Sequence, residues 1–157
     1  MLMILAYVAE LLNKTFVSLK HVYCICKTDA AWSKEKLLAG LGWIFSGATL
    51  GTPITGSAVE ASVKSPLIAE AVAIRAALCM AITLEIASIE VFSDNQTLVR
   101  AISGTTQAKE IIDIVKDIRS ITSEFASSSF SFIPRSQNLT VDSLAKEALR
   151  FYYSPSV

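Results

Sequence analysis

Ile89-Glu90-Val91-Phe92-Ser93-Asp94-Asn95-Gln96-Thr97-Leu98-Val99 is an apolar run that stops at a carboxylate and restarts at once with helical spacing. It predicts a short buried strand that delivers Asp94 to the carboxyl edge of a sheet, with a helix leaving immediately afterwards. Ligands of open α/β sheets sit at that edge, so a carboxylate there is a candidate site residue. Asp is also a favoured helix N-cap, because its side chain can take up an orphan N–H of the first turn. Position alone leaves both roles open, and the other carboxylates decide between them.

The totals bound what those carboxylates can belong to. A chain of 157 residues, 52% of them apolar, is one domain with a proper core, not a disordered or collagen-like chain. Fourteen basic residues balance fourteen acidic ones. No strong global field attracts a polyanion, so nucleic-acid binding has to come from local geometry or metal ions. Three cysteines, an odd number, make no disulfide framework and give secretion no support. Cys24 and Cys26 share one face of a strand and read as small core side chains, with Cys79 placed similarly in an apolar helix. His21 is the only histidine, and nothing lies at zinc-ligand spacing from it.

Upstream of the opening stretch, residues 1–20 place Ile4, Leu5, Val8, Leu11, Leu12, Phe16 and Leu19 at helical intervals. They read as an appended amphipathic helix that packs on the domain or on a partner. The apolar run is too short for a membrane span, which needs about 20 residues, and no basic residue precedes Lys14, as one normally does in a signal peptide, although the apolar first eight residues leave a targeting role open. Val22 to Ala30 has β-rich composition and ends on Asp29, a second strand-terminal carboxylate. A turn at Ser33 to Lys36 leads to a strand over Leu38 to Ser46, where Gly40 and Gly42 mark a bulge or a close backbone approach. Pro53 to Val63 reads as a third strand, placed at an edge by Pro53 and Gly56. Ser65-Pro66 then opens a helix to about Leu84. Glu70 sits in its apolar stripe, where a carboxylate is costly without a partner or a metal, unless it lies at a solvated rim.

Downstream, Gln96 to Ile102 is a short helix capped by Gly104. Lys109 to Phe125 is an amphipathic surface helix and Ser128 to Ile133 a last strand. After the loop Pro134 to Gln137, a final helix starts near Asn138, a good N-cap. Asp142 lies at the edge of its inward stripe, where the helix dipole also favours an acid. Three antiparallel strands followed by helix and strand units imply a mixed sheet covered by helices on both faces.

If the first and fourth strands are parallel neighbours, Asp29 and Asp94 lie side by side, strands being ~4.8 Å apart. The helix starts that carry Glu70 and Asp142 can reach the same edge. Four clustered carboxylates cannot all stay ionised without compensating cations. Magnesium suits carboxylate and phosphate oxygens, and two such ions about 3.5–4 Å apart can activate water and steady the leaving oxygen of a phosphodiester.

Four stretches carry a family resemblance: Lys27-Thr28-Asp29-Ala30-Ala31-Trp32 with Gly40-Leu41-Gly42-Trp43; Ala69-Glu70-Ala71 opening an Ala-rich helix; Ser93-Asp94-Asn95-Gln96; and Asn138 followed by Asp142-Ser143-Leu144-Ala145. In this order and spacing, from about Val22 to Phe151, the chain resembles the ribonuclease H family, in its reverse-transcriptase-like branch abundant in plant genomes and retroelements. The resemblance implies a five-stranded mixed sheet, three strands antiparallel and two parallel, flanked by helices, with residues 21–153 as the domain and 154–157 as a tail. It implies cleavage of the RNA strand of an RNA–DNA hybrid with two Mg2+ ions, or Mn2+ in their place. Asp29, Glu70, Asp94 and Asp142 would be catalytic metal ligands, and Gln96 and Asn138 would contact the hybrid.

Departures from the family pattern define an alternative. The loop before the last helix lacks the histidine of many active members, and Arg135 stands there as a partial replacement and substrate contact. The Gly- and Asn-rich turn after the first Asp is replaced by Ala30-Ala31-Trp32-Ser33, and no basic extension grips a duplex. A retroelement-derived domain of weak or no activity, binding nucleic acid or protein, fits these departures.

Overall fold

The computed structural model describes residues 23–47 and 50–153. The expected helix over residues 1–20 and the tail 154–157 lie outside the described residues. The strands are β1 (Tyr23–Ser33), β2 (Leu38–Ser46), β3 (Ile54–Glu60), β4 (Ser88–Ser93) and β5 (Ser127–Phe132). The helices are α1 (Pro66–Thr83), α2 (Gln96–Ser103), α3 (Ile112–Thr122) and α4 (Leu139–Tyr153), with 3-10 turns at Lys109–Ile111 and Arg135–Gln137. The sheet order is β3-β2-β1-β4-β5, with β3 at an edge. β1 pairs antiparallel with β2 and β2 with β3, whereas β1 with β4 and β4 with β5 are parallel.

Strand alternation sends Cys24, Cys26, Ile89 and Val91 into the core beneath α1 and α3. Burial pushes the Cys24 thiol up to about 11 and raises that of Cys26 too, which keeps both thiols protonated in the core role expected of them. α1 is long and apolar enough to cross a membrane, but half of it is buried inside the domain, where it spans the core between the sheet and α3. Ser65 caps it, accepting from the Ile68 N–H at 3.1 Å, as the Ser-Pro opening predicts.

The opposite face of β1, β2 and β3 is covered by α4. Here Gly40 and Gly42 permit a close backbone approach, not a bulge, since the β1–β2 register runs unbroken past both. A Cβ on Gly40 would lie 2.1 Å from the Ala145 carbonyl oxygen, and one on Gly42 would lie 2.9 Å from that of Val141. Asp29 pairs with Gly42, so this approach also sets the distance from β1 to the start of α4.

β1 does not end at Asp29 as the sequence suggests; it continues to Ser33, held by pairing with β2 as far as Ser33↔Leu38. What stops near Asp29 is the other partner. The β1–β4 ladder ends at Lys27↔Phe92, and β4 itself ends at Ser93. Beyond that point one flank of β1 is open. The third strand and the third helix are shorter than expected, Ile54–Glu60 and Ile112–Thr122.

Candidate metal centre

Asp29, on the open flank of β1, is 4% exposed. Its Oδ1 accepts from the Ala30 N–H at 2.9 Å. Asp94 follows the last residue of β4 and is not the helix cap. That task falls to Asn95, whose Oδ1 accepts from the Leu98 N–H at 3.0 Å, while the Ser93 hydroxyl accepts from the Asn95 N–H at 3.1 Å. The neighbours thus take up the capping work, and the Asp94 carboxylate is left to face the sheet edge.

Glu70 reaches the same place from the first turns of α1. One carboxylate oxygen from each of Asp29, Glu70 and Asp94 can be chosen so that all three lie within 4.8 Å of one another. The solvated-rim reading of Glu70 does not hold, since its Oε2 is buried without a hydrogen-bond partner. Burial pushes the Glu70 carboxyl up to about 10, and the neighbouring Asp29 and Asp94 charges add to the rise. Burial pushes Asp29 up to about 6; its hydrogen bond with Glu70 opposes the rise and the Asp94 charge reinforces it.

This donor set fits a hard divalent cation. Three convergent carboxylates, one with an orphaned buried oxygen, supply the charge and the oxygen ligands that such an ion takes. Without a cation the cluster holds protons to limit its own repulsion.

Asp142 lies outside that triangle of oxygens. It stands in the first turn of α4, near enough to raise the Asp29 carboxyl, and its Oδ2 pairs with Lys146 Nζ at 2.9 Å, one helical turn on. The helix start therefore brings a fourth carboxylate to the rim together with its own cation.

Asn138 directly precedes α4, where the last helix is expected to start, and is 1% exposed. Its amide Nδ2 donates to the Thr28 carbonyl at 2.9 Å and to Asp94 Oδ2 at 3.3 Å, whereas Oδ1 has no partner. Beside it, Lys27 Nζ donates to the Gln137 carbonyl at 3.0 Å, tying β1 to the turn before α4. The two Asn138 bonds have no signature in the sequence, because a polar residue before a helix reads as a cap. Gln96 is exposed at the first residue of α2, and Arg135 is exposed in the turn after β5. The Ile133 N–H donates to the Ser93 carbonyl at 3.0 Å, which holds that turn against the end of β4.

No curated protein matches the chain. Similar solved structures include RNase H1 from the halophilic archaeon Halobacterium salinarum, 24% identical with a TM-score of 0.75, over 83% of this chain and 99% of that one. The N-terminal RNase H domain of rv2228c from Mycobacterium tuberculosis is 21% identical with a TM-score of 0.74, over 83% and 95%. LC11-RNase H1, isolated from compost by a metagenomic approach and solved in complex with an RNA/DNA hybrid, is 23% identical with a TM-score of 0.69, over 83% and 99%. Residues 27–148 match the reverse-transcriptase-like family. The sheet order, the helices on its two faces and this match agree: the chain belongs to the reverse-transcriptase-like family and has the ribonuclease H fold.

Proposed function

We propose that the domain is a divalent-metal-dependent endonuclease that hydrolyses the RNA strand of RNA–DNA hybrids. The observation that carries this reading is the convergence of Asp29, Glu70 and Asp94 oxygens within 4.8 Å, with Glu70 Oε2 buried and unpartnered. Asp29, Glu70 and Asp94 would hold the metal, and Asp142, paired with Lys146 at the rim, would be the fourth ligand. Mg2+, or Mn2+ in its place, would supply Lewis acidity and charge neutralisation at the phosphodiester, shared between two ions. The chain's own part is to fix the carboxylates on β1, α1 and the end of β4, so that little reorganisation is left when substrate arrives. Gln96 and Arg135, both exposed beside that edge, contact the nucleic acid. A relative solved with an RNA/DNA hybrid supports the choice of substrate.

The zero net charge and the absent loop histidine favour a second reading, a retroelement-derived domain that binds nucleic acid or protein without cutting. One assay separates the two. Purified protein is given a labelled RNA–DNA hybrid with Mg2+, Mn2+ or EDTA, beside Asp94→Asn. Metal-dependent cutting of the RNA strand, reduced at least a hundredfold in Asp94→Asn, is expected; no cutting by folded protein with either metal selects the second reading.

A further inference from the structure

We infer that Asn138 is a positioning residue that sets the orientation of Asp94, not a side chain that touches the nucleic acid; the inference rests on the metal-site reading above. An asparagine amide has two N–H donors and one carbonyl acceptor. Both contacts of the Asn138 donor end are internal, one to the Thr28 carbonyl and one to Asp94 Oδ2. With the side chain 1% exposed, none of it is left for a ligand.

Those two contacts join parts of the chain that are far apart in sequence. Thr28 precedes Asp29 on β1, Asp94 follows β4, and Asn138 precedes α4. The Asn138 carbonyl also accepts from the Asp142 N–H at 3.1 Å. One residue therefore touches Asp94, the backbone beside Asp29 and the backbone of Asp142. Holding Asp94 Oδ2 stops the carboxylate from turning about its own bond, and so fixes where its other oxygen stands. The remaining atom, Oδ1, is buried without a partner, an arrangement that folding alone does not favour. An apolar side chain would fill the space without that orphan, but it would leave Asp94 free to rotate. Hydrogen-bond partners behind metal ligands act in this way, and their loss typically weakens metal binding 10- to 100-fold.

The test is titration calorimetry of Mn2+ into the metal-free full chain, for wild type, Asn138→Ala and Val141→Ala. Val141 is 1% exposed in α4, the helix that Asn138 precedes, and is not one of the proposed metal ligands, so its truncation serves as the control for lost packing at this end of the helix. Asn138→Ala is expected to weaken Mn2+ affinity about tenfold, whereas Val141→Ala melts at a lower temperature with its affinity unchanged. A second measurement is independent of metal and leaves Asn138 in place. The Asn138 side-chain amide protons, followed by NMR, exchange slowly in wild type and faster in Asp94→Ala. Mn2+ affinity in Asn138→Ala equal to wild type, or amide protection that Asp94→Ala does not alter, overturns the inference alone. A wild-type chain that binds no Mn2+ overturns the metal reading and this one with it.

Discussion

Glu70 shows at a single residue how the site opposes the fold. Its Oε2 is buried without a partner, and its carboxyl holds a proton far above the usual range because burial and the Asp29 charge both disfavour ionisation. Glu70→Gln removes the ionisable group while keeping its shape, and its amide can donate to Asp29. Unfolding of the metal-free protein by urea at pH 8 should then need about 0.5–2 kcal/mol more than wild type. Mg2+ is expected to raise the melting temperature of wild type, as a ligand that binds only the folded state does, and not that of the variant. Three of these residues were visible in the sequence for physical reasons. Asp29 and Asp94 interrupt apolar runs, and Glu70 is a charge in an apolar stripe. Asn138 stands at the start of the last helix as expected, but its inward turn has no sequence signal, because an asparagine before a helix reads the same whether its side chain caps the helix or turns inward.

Among the elements, α4 is seated by glycines. At Gly42 a methyl group would meet the Val141 carbonyl oxygen at 2.9 Å and the Ala145 nitrogen at 3.0 Å, both backbone atoms that move only with the helix. Gly42→Ala is expected to destabilise by about 1–3 kcal/mol, read as a lower urea midpoint at unchanged slope. Gly40→Ala, whose methyl would fall 2.1 Å from the Ala145 carbonyl oxygen, should cost more. Elements with a clear period were legible in sequence: β2 and the cap of α1 stand where expected, as does the Gly104 end of α2, whose φ of 83° suits glycine. The overrun of β1 to Ser33 was not. Ala30-Ala31-Trp32-Ser33 shows no alternation of its own, and it is strand only because β2 pairs with it. Pairing between distant segments leaves no local trace.

At the scale of the molecule, the carboxylate cluster makes stability depend on pH. An acid whose pKa is raised on folding binds its proton more tightly in the folded chain than in the unfolded one. Its contribution is complete below the ordinary value of 3.8 for Asp29 or 4.5 for Glu70, and is lost as pH rises through about 6 for the first and toward about 10 for the second. The melting temperature of the EDTA-treated protein should therefore fall from pH 5 to pH 8, as followed by circular dichroism. Mg2+ should restore it, and more so at pH 8, where fewer protons compete for the same oxygens. The topology that gathers these oxygens also orders events in time. Domains emerge from the ribosome N-terminus first, and α4 is the last described element, directly preceded by Asn138 and carrying Asp142. A nascent chain with Asp29, Glu70 and Asp94 already made still lacks the residue that orients Asp94 and the helix that covers β1 to β3. The proposed metal centre is thus complete only once this helix has docked on β1, β2 and β3.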